Sequence, residues 1–250
     1  MTYQAYRFAL DPTVAQRRVM ASHVGASRFA YHHLLALIKA TIDQRTAEQS
    51  YGIAECDLTP FIPTSHYSLR KIWNERKDEF APWWSENSKE VYSDGAKRLS
   101  LAMGNFFDSR KGKRKGRAMG FPRSKPRSDS GSVKFTTGTI RVESDRHHVT
   151  LPKIGAIRTH ESTRKLARRV EAGTARILSA TLSKSGNKWF VSFTVEVERN
   201  IPAPRAVKRV IGVDLGIKTL YVGATPDGQD TFTVDNPKNT LRSEAALRRA

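Results

Sequence analysis

A single cysteine, Cys56, occurs in 250 residues, which excludes an internal disulfide framework and any multi-cysteine zinc site built from these residues. It points to a reducing, intracellular compartment. No apolar run approaches the roughly 20 residues that a membrane-spanning helix requires, and Met1-Thr2-Tyr3-Gln4 opens no signal peptide. Acids are scarce: 24 Asp and Glu stand against 43 Lys and Arg, for a net charge of +19. A field of that sign and size opposes self-association and draws polyanions. An anionic membrane, an acidic protein and nucleic acid all fit in principle; the charge favours nucleic acid, and no membrane partner is expected.

The patterning predicts several small structural blocks. Residues 3–9 alternate aromatic and polar positions and read as a strand, stopped by Asp11-Pro12. Thr13 and Gln16 make a capping box, so a helix should begin at Val14 and run past Ile42, with Met20, His23, Ser27, Ala30, Tyr31, Leu34, Leu35 and Ile38 among its inward positions. A shorter helix is expected on Leu69, Ile72 and Trp73. A third, capped by Ser85 or Ser88, carries Val91, Leu99, Met103, Phe106 and Phe107 on one face. Gly95 and Gly104 lie inside it, where each costs about 1 kcal/mol relative to Ala unless close packing requires it.

Residues 110–127 differ in kind. Arg110, Lys111, Lys113, Arg114, Lys115, Arg117, Arg123, Lys125 and Arg127 give nine positive charges in eighteen residues without one acid. With Gly112, Gly116 and Gly120 among them, the stretch reads as a loop or disordered arm that orders on a phosphate backbone. From residue 133 the period becomes two, with short strands at 133–136, 140–143 and 148–151. A basic amphipathic patch follows at 163–170, then a hairpin of 176–183 and 189–198 about Ser185-Gly186-Asn187. Pro202 and Pro204 mark a linker, with a domain boundary near residue 205. Beyond it lie strands at 209–215, 220–224 and 230–234, and a helix from Ser243 onward.

Local chemistry points to catalysis in one place. In Val210-Ile211-Gly212-Val213-Asp214-Leu215-Gly216 an apolar strand ends on a carboxylate followed by a glycine. A ribonuclease-H-like sheet delivers an acid this way to two divalent cations, which prefer oxygen ligands and drive in-line phosphoryl displacement. The same opening strand serves sugar kinases and actin-like ATPases, and an Asp ending a strand is often only a turn former. Bland readings suffice for several other residues: core packing for Tyr31, Trp73, Phe106 and Phe107, and turn roles for Asp227 and Asp230. His147 and His148 point to opposite strand faces, which argues against joint metal binding. Trp83 and Trp84, after Pro82, leave open whether one is exposed for stacking.

Read in order, the chain resembles the TnpB (OrfB) family of transposon-encoded RNA-guided nucleases, relatives of type V CRISPR effectors. The matching stretches are Tyr6-Arg7-Phe8 through Pro12-Thr13 to Gln16, Gly25-Ala26-Ser27-Arg28-Phe29-Ala30-Tyr31, Asn105-Phe106-Phe107, and the basic run closing on Gly120-Phe121-Pro122-Arg123. Leu151-Pro152-Lys153-Ile154-Gly155, Trp189-Phe190-Val191-Ser192-Phe193, the segment from Gly212 to Lys218, and Asn236-Pro237-Lys238 complete the series.

The resemblance implies an α+β multidomain chain: a wedge β-barrel from residues 1–10 and 128–204, an inserted helical recognition domain over 11–127 with its basic loop at 110–127, and the start of a RuvC (ribonuclease-H-like) domain over 205–250. It implies a guide RNA and a double-stranded DNA target as partners and the cytoplasm of a prokaryotic cell as the location. By position, Ser88, Lys89 and Ser93 resemble the surface that reads a short target-adjacent motif, base pairing reading the rest. Asp214 takes the place of the first RuvC metal ligand, for Mg²⁺ or Mn²⁺. The family's later glutamate, second aspartate and four-cysteine zinc ribbon have no matching segment here, so zinc is expected only in a C-terminal part. These residues alone are not expected to cut DNA: they are either part of a longer protein or a truncated derivative that can only bind. The rivals are a nuclease-inactive RNA-guided repressor and a plain RNA-binding protein of ribosomal type.

Overall fold

The computed structural model describes residues 2–126, 130–198 and 210–249. Strand β1 (Thr2–Asp11) buries Tyr6, Phe8 and Leu10 on one face, as its alternation demands. Three helices follow: α1 (Val14–Ser50), α2 (His66–Phe80) and α3 (Lys89–Arg110). The chain then forms β2 (Gly131–Phe135), β3 (Arg141–Val142), β4 (His148–Leu151), β5 (Gly155–Thr159), α4 (Arg164–Glu171), β6 (Ala175–Ser185) and β7 (Lys188–Val197). All seven strands join one antiparallel sheet in the order β2-β6-β7-β1-β5-β4-β3. The helical block is thus an insertion between the sheet's central strand and its edge. β1 pairs with β7 from Thr2↔Val197 to Leu10↔Trp189 and passes to β5 only at its end, Leu10↔Thr159. Among the described residues the sheet's two end strands, β2 and β3, are not paired, so the expected barrel is not closed by main-chain hydrogen bonds.

Local signals account for the helix starts. The Thr13–Gln16 box is formed, with Gln16 N–H donating to Thr13 Oγ1 at 3.2 Å and Thr13 N–H to Gln16 Oε1 at 3.0 Å. Helix α1 continues to Ser50, where Arg45 inserts into the 51–61 stretch. It donates to the Thr59 carbonyl at 2.6 Å, pairs with Glu55 and lies 3.9 Å from the Phe61 ring centre. Ser88 caps α3. The glycines of α3 divide: a Cβ at Gly95 would collide with the Ser27 carbonyl and stand 3.1 Å from Ala30 Cβ, whereas nothing lies within 4 Å of one at Gly104. Close packing of α1 on α3 therefore requires Gly95 and not Gly104. Both helices pack on β2, and one apolar core runs from Leu34 and Leu99 to Phe135 and Phe193.

The structure corrects several expectations. Helix α3 extends through Arg110, a cation in the last turn that suits the helix dipole, with Lys111 at its C-cap and Gly112 at φ +68° just beyond. The basic loop therefore starts at Lys111. The 163–170 patch is a helix, α4, burying only Leu166 and Ala167. The 140–143 strand shrinks to Arg141–Val142, and β5 was not anticipated. Tyr31 and Trp73 are core, but Phe107 is exposed, and Trp83 and Trp84 are both half-buried. Pro202 and Pro204, read as the linker, lie outside the described residues.

The contacts divide the chain into a unit of Met1–Arg199 and a unit of Asn200–Ala250. The second is an antiparallel meander, β8 (Gly212–Leu215), β9 (Thr219–Ala224) and β10 (Thr231–Asp235), followed by α5 (Asn239–Leu247). That helix begins at Asn239, earlier than the Ser243 expected; before it Asn236 Oδ1 accepts from Lys238 N–H at 2.9 Å while its Nδ2 donates to the Ile217 carbonyl at 2.7 Å.

Candidate nucleic-acid interface

The first turn of α3 is held by the long helix beside it. His23, fully buried on α1, places Nδ1 2.8 Å from the Val19 carbonyl and accepts the Ser88 N–H on Nε2 at 3.2 Å. Nδ1 must therefore carry the proton and the ring must be neutral. Burial agrees, pushing its pKa below the ordinary 6.5, with the Lys153 charge acting in the same direction. Glu90 fastens the other side, accepting from Thr136 N–H at 3.1 Å and from its hydroxyl at 2.6 Å.

These contacts separate the three residues assigned to motif reading. Ser88 is buried and spends its hydroxyl on the cap, accepting from Glu90 N–H at 3.4 Å. Ser93 is half-buried, its hydroxyl 3.2 Å from His66 Nε2. Lys89 is exposed on a backbone held from both sides.

Lys111, Lys113, Arg114, Lys115, Arg117, Arg123 and Lys125 are all exposed, as is Arg110 at the helix end; Arg127 lies outside the described residues. Among the described residues none of these cations forms an ion pair with an acid. The segment is not a free arm along its whole length. Met119 N–H donates to Ser109 Oγ at 2.9 Å, and Phe121 meets Phe106 edge-on at 5.3 Å between ring centres. Tyr31 donates to the Arg123 carbonyl at 3.3 Å, and Lys125 N–H to His32 Nε2 at 2.8 Å. Aromatic residues of α1 and α3 thus fasten residues 119–125, while 111–117 carry five cations clear of the fold.

Helix α4 adds further exposed cations outside the 110–127 run. Arg164, Lys165 and Arg168 are exposed on it, while Arg169 turns inward to donate to Tyr6 Oη at 2.8 Å. Its short apolar stripe, Leu166 and Ala167, was the signal that could have found it.

In the second unit Asp214 lies on β8 opposite Val222 and is exposed, as are Val213 and Leu215. Among the described residues no group of three or more His, Cys, Asp or Glu could hold a metal ion. Asp214 alone does not fit a pair of divalent cations, which need several anionic oxygen ligands. Nor is any described helix long and apolar enough to cross a membrane.

Fold and surface define an α+β chain with a run of exposed cations that contact no acid among the described residues. A helix-turn-helix family model of the OrfB type matches residues 1–47; in the structure that span is a strand and one unbroken helix. A Mycobacterium tuberculosis H37Rv protein provisionally named an RNA-guided DNA endonuclease is 38% identical over 98% of this chain and 54% of its own. The Escherichia coli K12 protein InsQ, under the same provisional name, is 25% identical over 96% of this chain and 50% of its own. The chain belongs to the TnpB (OrfB) family, and it spans about half the length of the curated relatives it matches. A solved Cas12f1–guide RNA–target DNA complex covers 99% of this chain and 69% of its own, at 10% identity and a TM-score of 0.38, too slight a likeness to build on.

Proposed function

We propose that this chain is the nucleic-acid-binding part of an RNA-guided DNA endonuclease, gripping a guide RNA and reading a short motif beside the DNA target. The observation that carries the reading is the run from Arg110 to Lys125, eight exposed cations none of which pairs with an acid among the described residues. Like charges held in one short segment repel, and a phosphate backbone relieves that repulsion while releasing counterions. The provisional naming of the relatives as RNA-guided endonucleases supports RNA guidance, and the braced, exposed Lys89 supports motif reading from α3. Cleavage belongs to a complete protein in which Asp214 would be one of three carboxylates holding Mg²⁺ or Mn²⁺ through oxygen ligands.

The test is to sequence the RNA that co-purifies with the chain. One strongly enriched RNA species is expected. Recovery of cellular RNAs in proportion to their abundance would instead mark a general RNA binder of ribosomal type. DNA occupied but left uncut by the complete protein would assign it to the repressor class.

A further inference from the structure

A cavity of about 410 Å³ opens within the first unit where α1, α3, β2, β6 and the end of the basic segment meet. Its volume is within the range of small-ligand pockets, roughly 300–1,000 Å³. Arg28 comes from α1, Arg98 from α3, Lys125 from the segment and Lys184 from β6, and among the described residues no acid lines it. Apolar side chains common in small-molecule pockets are few here; hydroxyls stand between the cations, among them Ser27 and Ser132.

The walls are built rather than incidental. Asp94, behind the cavity, accepts from Arg98 Nε at 2.8 Å and from the Ser27 hydroxyl at 3.2 Å, which sets the guanidinium. Arg98 Nη2 then donates to Ser132 Oγ at 3.1 Å, leaving the Ser132 hydroxyl proton to donate elsewhere. Lys125 Nζ stands 4.7 Å from the Tyr31 ring centre, over the aromatic face. Asp94 offsets Arg98; among the described residues Arg28, Lys125 and Lys184 have no carboxylate partner. Cations that touch no carboxylate around one hollow repel each other, and an anion between them reverses the sign of the interaction. At Lys125 burial, then the Arg98 charge, pushes the pKa below the usual lysine range, with Asp94 acting in the opposite direction.

We propose that this cavity binds a phosphate group of a nucleic-acid strand, held by Arg28, Arg98, Lys125 and Lys184 with the Ser132 hydroxyl donating. A strand-borne phosphate is favoured over a free ion because Lys125 is at once a wall of the cavity and the last described cation of the exposed basic segment. A backbone tracked by that segment is delivered to the opening. The inference rests on the nucleic-acid reading given above and adds a site to it.

The test compares the RNA-stripped 250-residue chain with its Arg28→Gln/Lys184→Gln variant, titrating single-stranded RNA and duplex DNA across an about fourfold salt range. Loss of one phosphate contact lowers the log–log salt slope by about 0.7–0.9, so the variant should lose about threefold less affinity than the parent over that range. The strand for which this happens is the source of the phosphate. In the unsubstituted chain, the same oligonucleotide should slow acylation of Lys184, read by mass spectrometry, which keeps the proposal testable if the variant does not fold. Equal slopes on both nucleic acids with unprotected Lys184 would overturn it. So would protection of Lys184 by inorganic phosphate alone. A parent chain that binds neither nucleic acid would instead overturn the functional reading on which the site rests.

Discussion

Replacing Lys111, Lys113, Arg114 and Lys115 with Gln removes four exposed cations that contact no acid among the described residues. Their side chains bury no core, so folding should be untouched and the whole effect should fall on binding. If each contacts one phosphate of a single strand, the slope of log K against log salt falls by about 0.7 per residue, about 2.8 in all. Between about 50 and 200 mM salt the parent chain should then lose about fiftyfold more affinity than the variant. Filter binding or fluorescence anisotropy with a labelled RNA measures both slopes directly. Parallel slopes, with affinity lowered equally at every salt concentration or not at all, would refute phosphate contact by this segment.

Other positions give sharper local expectations. Gly95→Ala forces a methyl against the Ser27 carbonyl and should destabilise the first unit by about 1–3 kcal/mol in urea denaturation. Gly104→Ala, with open space around it, should stabilise α3 by up to about 1 kcal/mol, and the reverse order would contradict the packing described. The lowered pKa of buried His23 means the unfolded chain takes up a proton that the folded chain refuses as pH falls below 6.5. That contribution to stability is complete above pH 6.5 and is lost as pH drops towards the folded value; a His23→Gln chain should show a smaller decline in urea midpoint over the same range. Lys89→Ala should relax preference at one or two bases of the target-adjacent motif, about 1–3 kcal/mol per lost base contact, whereas a uniform loss over all motifs would place Lys89 on the phosphates. In a complete protein with the remaining carboxylates, Asp214→Ala should abolish cleavage and leave RNA and DNA binding intact; unchanged cleavage would remove Asp214 from the site.

Local signals were legible wherever the responsible residues are neighbours in sequence. The Thr13–Gln16 box, the alternation of Tyr6, Phe8 and Leu10, and the hairpin turning at Gly186 each carry their own geometry. Helix α4 escaped because five of its eight residues are charged cations or an acid that read as a surface patch, and only Leu166 and Ala167 are buried. Strand β5 follows a tight turn with Lys153 at φ +63° and Gly155 at φ +82°; the glycine is visible in the sequence, but the left-handed lysine is not. The end of α1 lacks apolar periodicity after Ile42 and is held instead through Arg45 by the stretch beyond it. Among the candidate residues, the exposed cations of 110–126 could be read from composition alone. The cap at Ser88 was legible but its anchoring to buried His23 was not, and the cavity gathers residues 28, 98, 125 and 184, separations that no local pattern encodes.

The most direct measurement of the central claim is duplex-DNA binding by the chain loaded with its co-purified RNA, against the same chain carrying that RNA with its targeting segment replaced. RNA-guided binding predicts that the preferred duplex changes with the RNA, that the motif beside it stays the same, and that ribonuclease treatment removes the preference. An identical duplex preference with either RNA, or one that survives ribonuclease, would contradict the account.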